Sequence, residues 1–395
     1  MIRKNILVAQ GGGPTMVINQ SLIGILEECT KKQYTVLGSL NGVNGIINSK
    51  FKNLSRLSQN SRNFIASSPG AALGSTRDKP DKDYCLEILE NLKKKKIEKF
   101  FYIGGNDSSD SLKIISNEAK IQKYQLQCIH VPKTIDNDLV FNDHTPGYGS
   151  AAKYIASVFA GINLDVNSLP GVYLGIVMGR HAGFLTAASS LLKKNHFDGP
   201  HLIYLPESKF ELNVFLKQIK SVYNKYGKCI VAISEGIQDK NKQLITKKIS
   251  KTEKDAHGNV QLSGSGILGD YLVKEIKENL QISRVRADTF GYPQRSFLGC
   301  ISEVDQSEAR TIGRKAVKFS HLNKDSFSVS IEERKKIQKK YNINYSTNNL
   351  DAIAGKTKLM PDSFIDHKNN FVTSKFKKYA LPLIGKKIPP FTTSF

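Results

Sequence analysis

No stretch of this 395-residue chain stays apolar for the ~18–20 residues that a membrane span needs. The start, Met1 to Gln10, is basic and then apolar, but its apolar part, Ile6–Ala9, is too short for the core of a secretory leader and runs straight into a glycine loop. It reads as a first strand, and the expectation is a cytoplasmic protein with no membrane contact. The five cysteines, Cys29, Cys85, Cys128, Cys229 and Cys300, are scattered and include no C-x-x-C pair. Neither a disulfide framework nor a zinc site is suggested, which fits a reducing compartment. The eight histidines lack metal-ligand spacing, and there is no short-period repeat. Acid is scarce: 58 Lys and Arg stand against 35 Asp and Glu, a formal net charge of +23. Such an excess serves nucleic acid, a membrane surface or anionic substrates, or is only a lysine-rich solvated face. Here the basic residues are spread along the chain, and no stacking-aromatic motif of RNA-binding modules is present, so no nucleic-acid partner is expected. The densest run, Lys93–Lys96, falls where a helix is expected to end, a favourable place for cations on dipole grounds.

What the chain does have is alternation. Ile6–Ala9 reads as a strand, followed by Gly11-Gly12-Gly13-Pro14 and a helical pattern to about Glu28. Glu98–Ile103 is a second strand, ending in Gly104-Gly105-Asn106-Asp107-Ser108. Gln127–Val131 is a third, ending in Pro132-Lys133-Thr134-Ile135-Asp136-Asn137-Asp138. Val172–Met178 leads into Gly179-Arg180, His201–Leu205 into Pro206-Glu207, and Cys229–Ile233 into Ser234-Glu235-Gly236. Strand-then-helix alternation predicts an α/β protein of two similar lobes, with largely parallel sheets flanked by helices. The polar clusters all follow the carboxyl ends of strands, where open α/β sheets bind ligands. The segment Asp239–Gln261 reads as an exposed loop or hairpin, and Met360–Phe395 as an extended strap over the body.

Each cluster has a chemistry. Three glycines between a strand and a helix let backbone N–H groups approach a phosphate, although they serve a tight turn equally well; neither the G-x-G-x-x-G nor the Walker pattern is matched. Asn106 and Asp107 offer oxygens to a hard cation such as Mg²⁺. Asp136 and Asp138, one residue apart, point the same way if the backbone is extended, so that one takes a proton from an alcohol while the other helps to hold a metal. Lys133 and Thr134 lie beside them. Arg286, Tyr292, Gln294 and Arg295 make a clamp suited to a sugar phosphate.

Together these residues resemble the phosphofructokinase family over most of the chain. The family's phosphate loop matches Gly11–Asn19, its Leu-Gly-Ser-x-Arg segment Leu73–Arg77, its Thr-Ile-Asp-Asn-Asp loop Thr134–Asp138, its Met-Gly-Arg Met178–Arg180 and its Gln-Arg element Gln294-Arg295. The resemblance implies that Asp136 takes the proton from the 1-hydroxyl of fructose 6-phosphate, and that Thr134, Met178, Gly179, Arg180, Glu207, Arg286, Tyr292 and Arg295 hold this sugar. It implies that Gly12 donates its N–H to the phosphoryl donor, that Arg77 lies near the donor, that Arg180 helps to position the reacting groups, and that Asn106 and Asp138 serve Mg²⁺. Members that use ATP carry Gly where this chain has Asp107 and Lys133. The pyrophosphate-using branch is similar to this chain at both, and also at Gly12–Thr15 and Tyr379–Gly385. A carboxylate at Asp107 repels a nucleotide's α-phosphate, and Lys133 adds positive charge for the compact pyrophosphate. The chain departs from the family at Asn106, where many relatives have Asp, and at Gly171, where bacterial ATP-dependent members carry an Arg that reaches a neighbouring subunit's sugar phosphate.

The expected division is a donor-binding lobe, 1–147 plus about 294–345, and a sugar-phosphate lobe with the strap, 148–293 plus about 346–395. A homodimer or homotetramer is expected, because the family's equivalent of Arg286 reaches across a subunit interface. The rival readings are an ATP-dependent phosphofructokinase and a non-catalytic basic nucleic-acid-binding protein; charge alone supports the second.

Overall fold

A computed structural model describes residues 5–249, 265–334 and 341–392. The larger sheet has seven strands: β1 (Asn5–Gln10), β2 (Thr35–Ser39), β3 (Phe51–Asn53), β4 (Ile97–Gly104), β5 (Gln127–Pro132), then, later in the chain, two more. The smaller sheet has β6 (Val172–Val177), β7 (Leu202–Tyr204), β8 (Cys229–Ser234) and β9 (Val285–Thr289). The chain then returns to the larger sheet with β10 (Phe327–Ile331) and β11 (Tyr345–Asn349). The spatial order of the larger sheet is β11-β10-β5-β4-β1-β2-β3, parallel except for the antiparallel edges β3 and β11. The smaller sheet, β7-β8-β6-β9, is wholly parallel.

The central strands are nearly continuous apolar runs because helices cover both faces of each sheet. Ile6, Val8, Phe101, Ile129 and Val329 face the helices Ile18–Lys31 and Glu303–Leu322; Leu7, Phe100 and Tyr102 face Lys82–Lys94 and Asn106–Ile121. The helix Lys82–Lys94 starts on Asp81, whose carboxylate accepts the Tyr84 N–H at 2.9 Å, and ends in the lysine run as expected. Strand order reverses between β1 and β4: the chain passes from β1 to β2 on one side and then to β4 on the other. A crevice opens at that switch, outside the carboxyl ends of the strands. The second lobe faces it with the carboxyl ends of β6, β8 and β9.

Helix Tyr148–Ser168 leads from the first lobe into the second. Asp305, in the first turn of Glu303–Leu322, accepts the N–H groups of Gly147 and Ser150, both at 2.8 Å, and so caps this connecting helix from another element. The expected lobe boundary near 345 needs correction. Strand β11 pairs with β10, and Leu350 packs under the larger sheet, so the first lobe runs on to about residue 353. The C-terminal segment is not an extended strap. It folds into a small hairpin, β12 (Ile365–Asp366) and β13 (Phe371–Val372), and a helix, Ser374–Ala380, followed by a 3-10 turn, Leu381–Ile384; Phe376 and Ala380 of the first and Leu383 and Ile384 of the second join the core around Tyr148–Ser168. Its apolar residues are too many to stay extended on a surface. Of the segment 239–261, residues 245–249 form a short helix, and 250–261 lie outside the described residues.

Candidate active site

The crevice encloses a cleft of about 400 Å³ walled by both lobes. Its floor is the turn after β1. Gly12 has φ +71°, a left-handed conformation that glycine adopts without steric cost. A Cβ on Gly13 would lie 3.0 Å from the guanidinium carbon of Arg295, so glycine there lets an arginine settle on the loop. All three carbonyls of the turn are tied down. Lys133 Nζ donates to Gly11 O at 2.9 Å and Gly13 O at 2.5 Å, and Ser75 Oγ donates to Gly12 O at 2.6 Å. Dipoles that would repel an anion are thereby held by donors. An ammonium has three N–H groups; two go to these carbonyls, and the third is left for a ligand. Burial lowers the Lys133 pKa to about 7, with Arg295 and Arg77 adding to the effect and Asp136 and Asp107 opposing it. The Gly12 N–H, expected to reach the phosphoryl donor, donates to Thr76 O at 3.0 Å. Gly12 instead lines the cleft beside Lys133. Arg77 and Asp107 line it as expected, Asp107 from the first turn of helix Asn106–Ile121.

The loop after β5 supplies the carboxylates. Asp136 and Asp138 both line the cleft, but not through an extended backbone: the residue between them, Asn137, is left-handed at φ +58°. Asn tolerates this conformation better than most residues with a Cβ, and its side chain is held at both ends. Its Nδ2 donates to Tyr379 Oη at 2.7 Å, and its Oδ1 accepts the Thr145 N–H at 3.1 Å. Thr134 Oγ1 accepts the Asp136 N–H at 3.1 Å. Burial raises the pKa of Asp136 against the pull of Arg295, Arg180, His181 and Lys133. Burial raises Asp138 too, and the neighbouring Asp136 carboxylate adds to the shift.

Asn106 Nδ2 donates to Asp138 Oδ2 at 2.9 Å, while Asn106 Oδ1 is buried without a partner among the described residues. An orphaned amide oxygen beside a crowded carboxylate pair suits a hard divalent cation. Among the described residues no three His, Cys, Asp or Glu side chains gather into a metal cage, so most ligands of such an ion have to come from substrate oxygens and water.

Met178 and Arg180 enter after β6, and Tyr292 and Arg295 after β9, with the Arg295 guanidinium 5.1 Å from the centre of the Tyr292 ring. Gly179, φ +139°, forms the turn between Met178 and Arg180, and its carbonyl accepts Ser234 Oγ at 2.5 Å. Two expected residues are elsewhere. Glu207 does not line the cleft: its Oε1 accepts the N–H groups of Gly183 at 2.9 Å and Met360 at 3.0 Å, fastening the C-terminal segment to the second lobe. Arg286 sits near the amino end of β9 and lines a separate recess of about 250 Å³ with Arg284, Asp165 and Asp288, away from its own chain's cleft. The cleft also holds residues the sequence reading left unassigned. Glu235, from the carboxyl end of β8, is the one the strand-end rule marks. His181 is held below its usual pKa by burial and by Arg180. Lys79 and Asp110 pair at 3.1 Å, and Gly355 and Thr357 come from beyond β11.

A family model described as phosphofructokinase matches residues 5–320. A Rhodospirillum rubrum protein named pyrophosphate–fructose 6-phosphate 1-phosphotransferase is 52% identical over 392 residues, covering 98% of this chain and 96% of that protein. Crystal structures described as pyrophosphate-dependent phosphofructokinases superpose well: that from Nitrosospira multiformis at TM-score 0.86 and 30% identity, and that from Marinobacter aquaeolei at 0.83 and 31%. Each covers 98% of this chain and 94% of its own.

Proposed function

Because this chain belongs to the phosphofructokinase family, we propose that it transfers a phosphoryl group from pyrophosphate to the 1-hydroxyl of fructose 6-phosphate, yielding fructose 1,6-bisphosphate and phosphate. It is an enzyme of the pyrophosphate-dependent type. The observation that carries the reading is a single cleft in which Asp136 lies among the cations Lys133, Arg180 and Arg295. Lys133 and Arg77 enter it at the carbonyl-tethered loop, the ends of β6, β8 and β9 bring Arg180, Glu235 and Tyr292, and Arg295 lies against Gly13 on the loop itself.

Phosphoryl transfer asks mainly for alignment and for compensation of charge on the moving group. Lys133, with one N–H to spare, and Arg77 meet the pyrophosphate. Arg180, whose charge acts on Asp136, steadies the group in flight. Asp136 accepts the hydroxyl proton as the sugar oxygen attacks; burial lifts its pKa against the pull of the surrounding cations, which makes it a stronger base than an exposed carboxylate. Asp138 and Asn106 would hold Mg²⁺, which when bound neutralises phosphate charge. The anhydride of pyrophosphate and the phosphoester formed are closer in energy than the corresponding bonds with ATP, so the reaction runs readily in both directions.

Asp107 supports pyrophosphate over ATP, since its carboxylate stands in the cleft beside the donor floor. Arg286 in its separate recess is consistent with an assembly of at least two copies, in which it serves a neighbour's sugar phosphate. Soluble sugar phosphates as substrates make the cytoplasm the expected location. The test is a coupled assay with purified protein, fructose 6-phosphate and Mg²⁺, with pyrophosphate in one tube and ATP in the other. Turnover with ATP alone would overturn the donor assignment.

A further inference from the structure

The C-terminal helix touches the catalytic loop through one hydroxyl. Tyr379 Oη accepts from Asn137 Nδ2 at 2.7 Å and donates to Asp143 O at 2.6 Å, so both ends of the turn 137–143 meet on a single oxygen. The tyrosine itself is firmly held. Arg334 lies over its ring, 4.8 Å from the centre, and donates to its carbonyl at 2.9 Å. Phe184, Phe364 and Phe376 pack around the ring. Arg334 also donates to the Asp143 carboxylate at 2.7 Å, which in turn meets His144 Nδ1 at 2.7 Å; His144 Nε2 meets Glu308 at 2.6 Å. Lys358 closes the turn from the other side, with Nζ on the carbonyls of Asn142 and Asp143 and its backbone N–H on Asp138 O, all within 2.7–2.9 Å.

We propose that Tyr379 is a positioning residue for phosphoryl transfer: its hydroxyl holds Asn137 in the left-handed conformation and thereby aims Asp136 and Asp138 together into the cleft. The inference rests on the reading of Asp136 as the base. A residue with a Cβ stays left-handed only where its surroundings over-determine it. At Asn137 the surroundings are two bonds to one side chain, and one of them ends on Tyr379. Released, Asn137 relaxes toward an ordinary φ, and its two neighbouring carboxylates rotate apart. A displacement of ~1 Å at reacting groups costs about 100-fold in rate. Substrate affinity is set by other residues, on the donor floor and the second lobe, and is largely spared.

The test is Tyr379→Phe, which removes one oxygen and keeps the packed ring. With pyrophosphate and fructose 6-phosphate, kcat is expected to fall about 10–100-fold while both KM values stay within about twofold. Asn137→Gly, which allows the left-handed backbone but removes both side-chain bonds, should lose kcat similarly, and the double variant should lose no more than the worse single one. A kcat within twofold of the unsubstituted protein, or a double loss equal to the product of the single losses, overturns the proposal. So does a lowered melting temperature with kcat unchanged. Amide exchange gives an answer independent of turnover: in Tyr379→Phe, amides 136–145 should exchange faster while β1 and β4 keep their protection. Unchanged exchange in the loop also overturns it. An unsubstituted protein with no pyrophosphate turnover would refute the donor assignment alone, and the exchange comparison would still decide the role of Tyr379.

Discussion

Asp136 has to be ionised to take a proton and close to the sugar hydroxyl to be useful, and its neighbours bear on both conditions. Asp136→Asn keeps the shape and removes the base, so turnover should fall about 10²–10⁴-fold, while calorimetric titration with fructose 6-phosphate should show nearly unchanged affinity. Donor choice is also set by single side chains. Asp107→Gly should admit some ATP: at ~4 Å and an effective dielectric of about 20, the repulsion removed has an upper limit near 4 kcal/mol, which salt and a bound cation reduce. Lys133→Gly should do more than weaken pyrophosphate. Its ammonium ties the carbonyls of Gly11 and Gly13, so the floor loosens and kcat/KM should fall with either donor. Measuring kcat/KM for both donors in both variants checks this; an ATP-to-pyrophosphate ratio left unchanged by Asp107→Gly would refute the role of that carboxylate. Much of this was legible in the chain, because residues such as Gly12, Lys133, Asp136 and Arg180 lie immediately after apolar strands. The same rule misplaced Glu207. It too follows a strand, but β7 is the edge of the smaller sheet, and two backbone N–H groups of loop segments capture its carboxylate. No local signal shows that a strand will be an edge, or that Asn137 will be left-handed; partners far along the chain decide both.

At the scale of elements, the loop after β5 is fastened by a buried polar cluster, and Asp143 within it makes stability depend on pH. Burial alone would raise the Asp143 pKa, but bonds and charge from His144 and Arg334 outweigh it and hold the group at about 2. The folded state therefore binds fewer protons than the unfolded one below the ordinary carboxylate range. The stabilisation is complete above pH ~4 and is lost as the pH falls toward 2, amounting to about 2 kcal/mol. Urea midpoints at pH 5 and pH 2.5 should drop more in the unsubstituted protein than in Asp143→Asn, which begins less stable. Equal drops would contradict the assignment. The strands and the parallel sheets could be read from the alternation of apolar runs. The position of β11, a polar edge strand of sequence Tyr-Ser-Thr-Asn-Asn, could not, since only pairing with β10 reveals it. The helix within the C-terminal segment was missed because it is short and its apolar residues face partners on Tyr148–Ser168, far back along the chain.

Across the whole molecule, the cleft belongs to both lobes, whereas Arg286 belongs to neither wall of it in its own chain. If Arg286 serves a neighbouring copy, Arg286→Ala should raise the KM for fructose 6-phosphate about 10-fold or more, in line with ~1.5–3 kcal/mol for a charged hydrogen bond, and leave the KM for pyrophosphate unchanged. Sedimentation should then show at least a dimer, and a fully active monomer would remove that role. The cleft also takes Gly355 and Thr357 into its lining, and Asp138 O is bonded by the Lys358 N–H. Those residues leave the ribosome long after the catalytic loop: at ~5–20 residues per second, the interval is about 10–45 s. During synthesis the larger sheet therefore has most of its strands in place while its acidic loop still lacks the wall that shapes it. A message broken off beyond the codons for β11 would yield a chain with most of its folded mass and no working centre, so antibody recognition of such a product would say nothing about its activity.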